Sequence, residues 1–214
     1  MAKQKIRKWR KFIAALAAGS IIGGGWLTSR GELVTEVIDG DSFKISNKQT
    51  IRLASLDAPA KDRCFGPEAT KALTEKILNK RVVLNDLRTD RYGRIIAQAY
   101  VGGAHVNNFM IKNGFAESTR QAGEETANIK IANEYARENK VGIFSPDCYQ
   151  ETPPNLKCAI KGNVNDRAAN EKYYFTPSCR HYSKVIVKKS FGDDWFCAEA
   201  EAIKAGFTKA PNCD

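Results

Sequence analysis

Two carboxylates, Asp41 and Asp57, mark two short runs of alternating apolar residues, V-I-D-G-D-S-F-K-I and I-R-L-A-S-L-D-A-P-A. Asp39 lies just before Asp41, and Arg52 sits within the second run ahead of Asp57. An ionised carboxylate only accepts hydrogen bonds, so oxygens gathered at one point require a cation. Hard oxygen donors favour calcium or magnesium. The plainer alternative is a pair of surface carboxylates at strand ends, where polar residues are common. The choice turns on whether the chain brings the two runs together.

Residues 33–38, 42–46 and 50–56 read as strands rich in β-branched residues, and the polar stretch 47–49 reads as a hairpin turn. If the second and third runs pair as antiparallel neighbours, Asp41 and Asp57 converge at one rim of the sheet. Gly66-Pro67-Glu68 opens a helix with Pro67 in its first turn and Ala69, Ala72, Leu73 and Ile77 on one face. Residues 81–87 and 95–101 read as two more strands. A short helix at 106–112 stops at Gly114, and another at 126–139 carries Ile129, Ala132 and Ala136 on one face.

A third stretch, R-T-D-R-Y-G-R at residues 88–94, leads into the apolar run 95–101. Together with I-D-G-D-S at 38–42 and R-L-A-S-L-D-A-P-A at 52–60, it resembles the motif set of the staphylococcal nuclease (thermonuclease) family. The likeness runs from about residue 33 to 145. It implies an α+β, mainly β fold: a five-stranded barrel of the oligonucleotide/oligosaccharide-binding type with three helices. It also implies calcium held by Asp41, Asp57 and the backbone carbonyl of Ala58, with Asp39 orienting bound water behind them. Arg52 and Arg94 match the pair that clamps the phosphate, a task suited to forked guanidinium donors. Arg91 and Tyr92 match the substrate-binding edge. One position departs from the pattern. The family glutamate beside the attacking water is Ala60 here.

Alanine neither takes a proton nor positions water. General-base assistance is worth roughly a hundred- to ten-thousand-fold in rate. Asp62, two residues on, is the candidate substitute base. Two functions therefore stand side by side: calcium-dependent hydrolysis of DNA or RNA, slowed at position 60, and a non-catalytic module that binds single-stranded nucleic acid or another polyanion. The chain has only two histidines, His105 and His181, which argues against a histidine-based hydrolase. No protein partner is identifiable.

The formal net charge is +10. Residues 1–30 carry seven of the Lys and Arg and no acid, while residues 31–150 carry 17 bases against 16 acids. Nucleic-acid affinity must therefore come from a local patch, not from the charge of the whole domain. The basic start precedes the uncharged run 12–27, the order of a membrane anchor or a cleaved export signal. Sixteen residues of helix span roughly 24 Å against a hydrocarbon core of roughly 30 Å. Either reading places the remainder on the extracytoplasmic side of a bacterial envelope, membrane-anchored or secreted.

The expected organisation is a segment 1–30, a nuclease-like domain 31–150, a Pro-containing linker 151–157 and a small module 158–214. Cys158, Cys179, Cys197 and Cys213 fall in that module without a C-x-x-C spacing, so disulfides are expected there rather than zinc, in one of three pairings. Cys64 and Cys148 are expected to pair with each other. The stretches C-A-I-K-G-N, Y-Y-F-T-P-S-C and W-F-C-A-E-A-E-A-I-K-A-G-F resemble a small disulfide-stabilised α/β module appended to bacterial thermonuclease-like proteins.

Overall fold

A computed structural model describes residues 31–119, 126–165, 171–211 and 213, and Gly31–Asp214 forms one compact unit. The basic and apolar segment 1–30 lies outside the described residues. No helix among the described residues is long and apolar enough to cross a membrane.

In chain order come β1 (Glu32–Val37), β2 (Ser42–Ile45), β3 (Thr50–Leu53), β4 (Leu56–Asp57), α1 (Gly66–Ile77), β5 (Arg81–Thr89), β6 (Ile95–Val101), β7 (Ala104–His105), α2 (Val106–Lys112), β8 (Glu117–Ser118) and α3 (Thr126–Glu138). β1, β2, β3, β6 and β5 pair in that cyclic order, and the parallel β3–β6 contact closes the barrel. Period-two patterning explains which way each strand faces. Phe43 and Ile45 of β2, Ile51 and Leu53 of β3, and Ala97 and Ala99 of β6 are sealed inside, while Arg52 between Ile51 and Leu53 points outward. Ala69, Leu73 and Ile77 of α1 and Val106, Met110 and Ile111 of α2 complete one core. Truncating a sealed leucine such as Leu73 to alanine costs about 2–5 kcal/mol.

The third apolar run is not one strand. It breaks at Ser55, whose φ is +63°, and β4 leaves the barrel to pair with β8. The buried amide of Asn107 explains the break. Its Nδ2 donates to the carbonyls of Ala54 and Ala97, and its Oδ1 accepts from Ala99 N–H. A side chain thus takes ladder positions that a continuing strand would use.

After α3 and a 3₁₀ turn at Gly142–Phe144, the chain forms β9 (Tyr149–Gln150), β10 (Ile160–Asn165), β11 (Glu171–Phe175), β12 (Val187–Lys188), β13 (Asp194–Phe196), α4 (Glu199–Lys204) and β14 (Thr208–Lys209). β13, β10, β11 and β14 make a four-stranded sheet over Ile160, Tyr174, Phe196, Ala202 and Phe207. Disulfides Cys158–Cys197 and Cys179–Cys213 close this small core. β12 pairs with β9, which binds the module to the exit of the barrel domain. Lys161 is buried in the module. Its ammonium donates to the carbonyls of Tyr182 and Val185 and lies over the Tyr182 and Trp195 rings, and burial pushes its pKa down.

Candidate functional site

Asp41 enters β2 opposite the end of β3, where its carbonyl accepts from Leu53 N–H at 2.8 Å. Ser42 pairs with Arg52 across the two strands, so the guanidinium leaves β3 beside the Asp41 carboxylate. Arg52 Nη1 donates to Asp41 Oδ1 at 2.5 Å, and Nη2 donates to Asp57 Oδ1. One planar fork therefore joins the two carboxylates that the hairpin and β4 deliver. The Asp41 carboxylate also accepts from Ser42 Oγ at 2.7 Å and from Ala58 N–H at 3.0 Å. Asp39 Oδ1 accepts from Asp41 N–H at 3.1 Å. Close packing holds the D-G-D turn in place: a Cβ at Gly40 would fall 2.7 Å from Ala58 Cβ and 2.8 Å from Ala69 Cβ.

Burial dominates the electrostatics. Only 2 % of Asp41 is exposed. Desolvation pushes its pKa up to about 6 although Arg52 opposes the shift, and Asp39 adds to it. Asp57 is also raised, by burial first, with Glu117 and Asp39 adding to it against Arg52. Burial works against the charged Arg52, but Asp41 and Asp57 outweigh it and raise its pKa.

Arg94 is held apart from this cluster. Its Nε donates to Asp90 Oδ2 at 2.8 Å, and its N–H donates to Asp90 Oδ1. The same Oδ1 accepts from Tyr92 N–H. These bonds outweigh the slight burial of Asp90 and hold its carboxyl below the usual range. Arg94 nevertheless lies on the Arg52 side of the sheet. Arg52 pairs with Ile96 in parallel register, so Arg94 is one strand across and two residues back, with backbones roughly 8 Å apart. Arg88 also pairs with Ile96, from β5, and lies in the same transverse row. Tyr92 is 68 % exposed, with the Arg91 and Arg94 guanidinium groups 4.9 and 5.5 Å from its ring centre. The turn thus presents an aromatic face flanked by two cations.

Ala60 is exposed. Its carbonyl accepts from Arg63 N–H, and a Cβ at Gly66 would lie 1.9 Å from that oxygen. Asp62 is exposed on this same turn and has no ion pair among the described residues. Cys64 is bonded to Cys148, and all six cysteines of the chain are paired.

The donor set suits a hard cation. Two carboxylates share one positively charged partner, and the guanidinium already holds the place of the compensating charge. No group of three His, Cys, Asp or Glu side chains among the described residues could hold a metal ion, so a cation held by Asp41 and Asp57 would need backbone carbonyls or water to complete its coordination shell.

Residues 50–146 match the staphylococcal nuclease homologue family. A micrococcal nuclease from Shigella flexneri is 32% identical over 153 residues, which cover 65% of this chain and 87% of that protein. The chain belongs to the staphylococcal nuclease family. An uncharacterized endonuclease from Escherichia coli is 34% identical over 116 residues, 52% of this chain and 75% of its own. Protein ParB, also from Escherichia coli, is 32% identical over 146 residues, 62% of this chain and 81% of its own. Ser42, Arg88 and Asp90 stand in the quoted stretches without a site role assigned to them, and Glu117 lies outside those stretches. The aspartate two residues before Tyr92 carries a turn-forming signal. Glu117 carries none, because only the β4–β8 pairing sets it opposite Asp57.

Proposed function

We propose that this staphylococcal nuclease family member hydrolyses phosphodiester bonds of DNA or RNA, with calcium at Asp41 and Asp57, and that alanine at position 60 slows it. The observation that carries the reading is the meeting of Asp41 and Asp57 on the single guanidinium of Arg52. Asp41, Asp57 and the Ala58 carbonyl would hold the ion, with Asp39 behind them. Bound calcium supplies Lewis-acid polarisation of a phosphoryl oxygen.

This chain's own residues supply the rest. Arg52 turns its fork from the carboxylates toward phosphate oxygens, where planar donors bind two oxygens together. Arg94, on the same side of the sheet, is the second phosphate cation once Asp90 releases it. Tyr92 and Arg91 offer a stacking face and a charge that tolerate any base. Backbone and stacking contacts of this kind carry little sequence information, which fits a nuclease of broad specificity. The basic and apolar order of residues 1–27, with six paired cysteines, supports a place on the extracytoplasmic side of the bacterial envelope.

A second reading, binding without hydrolysis, is favoured by the missing carboxylate at position 60. Single-stranded DNA and RNA incubated with the protein, with and without calcium, separate the two. Cleavage that needs calcium and disappears in Arg52→Ala supports the nuclease. Ala60→Glu is expected to raise its rate roughly a hundredfold or more. Binding without cleavage by the parent, with cleavage only by Ala60→Glu, supports the binding module. Loss of parental cleavage in Asp62→Ala identifies Asp62 as the substitute base.

A further inference from the structure

β12 of the carboxy-terminal module reaches the catalytic side of the barrel domain. Lys188 Nζ donates to Glu117 Oε2 at 2.7 Å, across 71 residues of sequence. Glu117 lies directly opposite Asp57 in the β4–β8 pair. Directly opposed residues of an antiparallel pair share a face, with Cβ atoms about 4.5–5.5 Å apart. The charged side chains therefore form a row, Asp41, Arg52, Asp57, Glu117 and Lys188, in which the adjacent acids Asp57 and Glu117 are flanked by the two cations. Two like charges directly opposite each other are destabilising in a sheet, and Lys188 offsets the second of them. Its ammonium is held within roughly 10 Å of the Asp57 carboxylate, given that Cβ spacing and the length of a glutamate side chain.

The other face of this contact continues the row. Lys188 pairs with Tyr149 across β12 and β9, so both side chains project toward α3 and β8. The Tyr149 hydroxyl accepts from Arg137 Nη2 at 2.6 Å, and the Arg137 guanidinium lies 5.5 Å from the Tyr149 ring centre. Beside them opens a cleft of about 490 Å³ lined by Arg137, Lys140, Phe144, Pro146, Tyr149 and Glu151. That volume is in the range of small-molecule sites. The helix dipole alone would favour Arg137 and Lys140 at the end of α3. It does not account for the aromatic walls, nor for Lys188, which arrives from a different strand. Glu151 is the one acid on the cleft.

We propose that this seam between barrel and module is a second nucleic-acid subsite, in which Lys188, Arg137 and Lys140 take successive phosphates of a single strand and the cleft at Tyr149 and Phe144 takes a base. The inference rests on the nuclease reading for the position of the strand at Arg52. A DNA strand carries one charge per 3.4 Å of axis, so a strand gripped at Arg52 offers further phosphates within reach of Lys188. The module holds that lysine rigidly. Asp193 accepts from Lys188 N–H at 3.0 Å and from Val164 N–H at 2.7 Å. Ser190 Oγ donates to the Cys64 carbonyl at 2.8 Å, and Lys189 N–H donates to the Cys148 carbonyl at 2.9 Å.

The test is binding of fluorescent oligothymidylates, two and twelve nucleotides long, to the full chain in EGTA over a salt series. Lys188→Ala and the pair Arg137→Ala with Lys140→Ala are expected to weaken the twelve-mer roughly tenfold and to leave the two-mer unchanged. Each lost phosphate contact lowers the salt slope by about 0.7, a readout that a purely structural defect does not move. Lys188→Arg is expected to restore both. Melting temperature and free-thiol titration establish that each variant is folded with its disulfides intact. Equal twelve-mer affinity and slope in folded variants would overturn the subsite while leaving the nuclease reading standing. Failure of the parent to bind the twelve-mer in EGTA would also overturn the subsite, while the nuclease reading is decided separately by the calcium-dependent cleavage assay.

Discussion

Arg52 donates to an Asp41 carboxylate that is almost sealed from solvent. Even so, burial outweighs the ion pair and sets the Asp41 pKa at about 6. The folded state without calcium therefore holds that proton more tightly than the unfolded chain does. The stability Asp41 contributes is fully present below the ordinary carboxylate pKa of about 4 and is lost as pH rises through about 6. Asp41→Asn is expected to flatten this part of the stability profile in EGTA and to add about 2–3 kcal/mol at pH 7. Urea unfolding from pH 4 to 8 checks it; an unchanged slope between pH 4 and 6 would refute the assignment.

Arg52 joins two acids that face each other across the site, and a lysine has one ammonium where the guanidinium has a fork. Arg52→Lys is expected to lower kcat by about a hundred- to a thousandfold. Arg52→Ala also leaves Asp41 buried without its counter-charge, and is expected to destabilise the calcium-free protein by about 3–5 kcal/mol. Single-turnover cleavage and denaturant titration on the same samples separate the two effects. A lysine variant with parental kcat would remove the fork from the mechanism.

Gly66 begins α1 where the chain passes the Ala60 carbonyl. A Cβ there would overlap that oxygen at 1.9 Å, and the neighbour is backbone, which yields little. Gly66→Ala is therefore expected to displace the turn that carries Ala60 and Asp62, costing more than about 2 kcal/mol and slowing cleavage. Amide exchange in residues 58–65 reads the displacement directly, and parental protection there would contradict it.

The Cys64–Cys148 bond spans 84 residues and fastens the same turn to the barrel exit. In the chain-entropy account a loop of that length contributes about 4–5 kcal/mol. Replacing both cysteines by serine is expected to lower stability by that order and to raise KM by loosening the turn. Urea unfolding and steady-state kinetics of the double variant check both, and unchanged values would make the bond incidental.

The two runs that bear Asp41 and Asp57 were legible because alternation and β-branched content encode strands locally, and a polar turn encodes their pairing. The barrel helices were legible from local signals too: Pro67 and an apolar face for α1, Gly114 for α2, and the face of Ile129, Ala132 and Ala136 for α3. The break at Ser55 was not, because its cause, Asn107, lies far along the chain, although the apolar positions do slip out of phase between Leu53 and Leu56. The tie between Arg94 and Asp90 was hidden in another way. Both residues stand in the family motif, and only the turn geometry assigns their charges to each other. The pairing of the four module cysteines rests on the strand order of a sheet whose parallel β11–β14 contact no local pattern announces.

Cys148, which fastens the Ala60 turn, and Ser190, which clasps Cys64, both lie downstream of every barrel strand. A ribosome that has delivered all five staves of the barrel has not yet delivered its latch. The cleft is thus finished last during synthesis, and the thiol of Cys64 waits for a partner that emerges only after 83 further residues have passed.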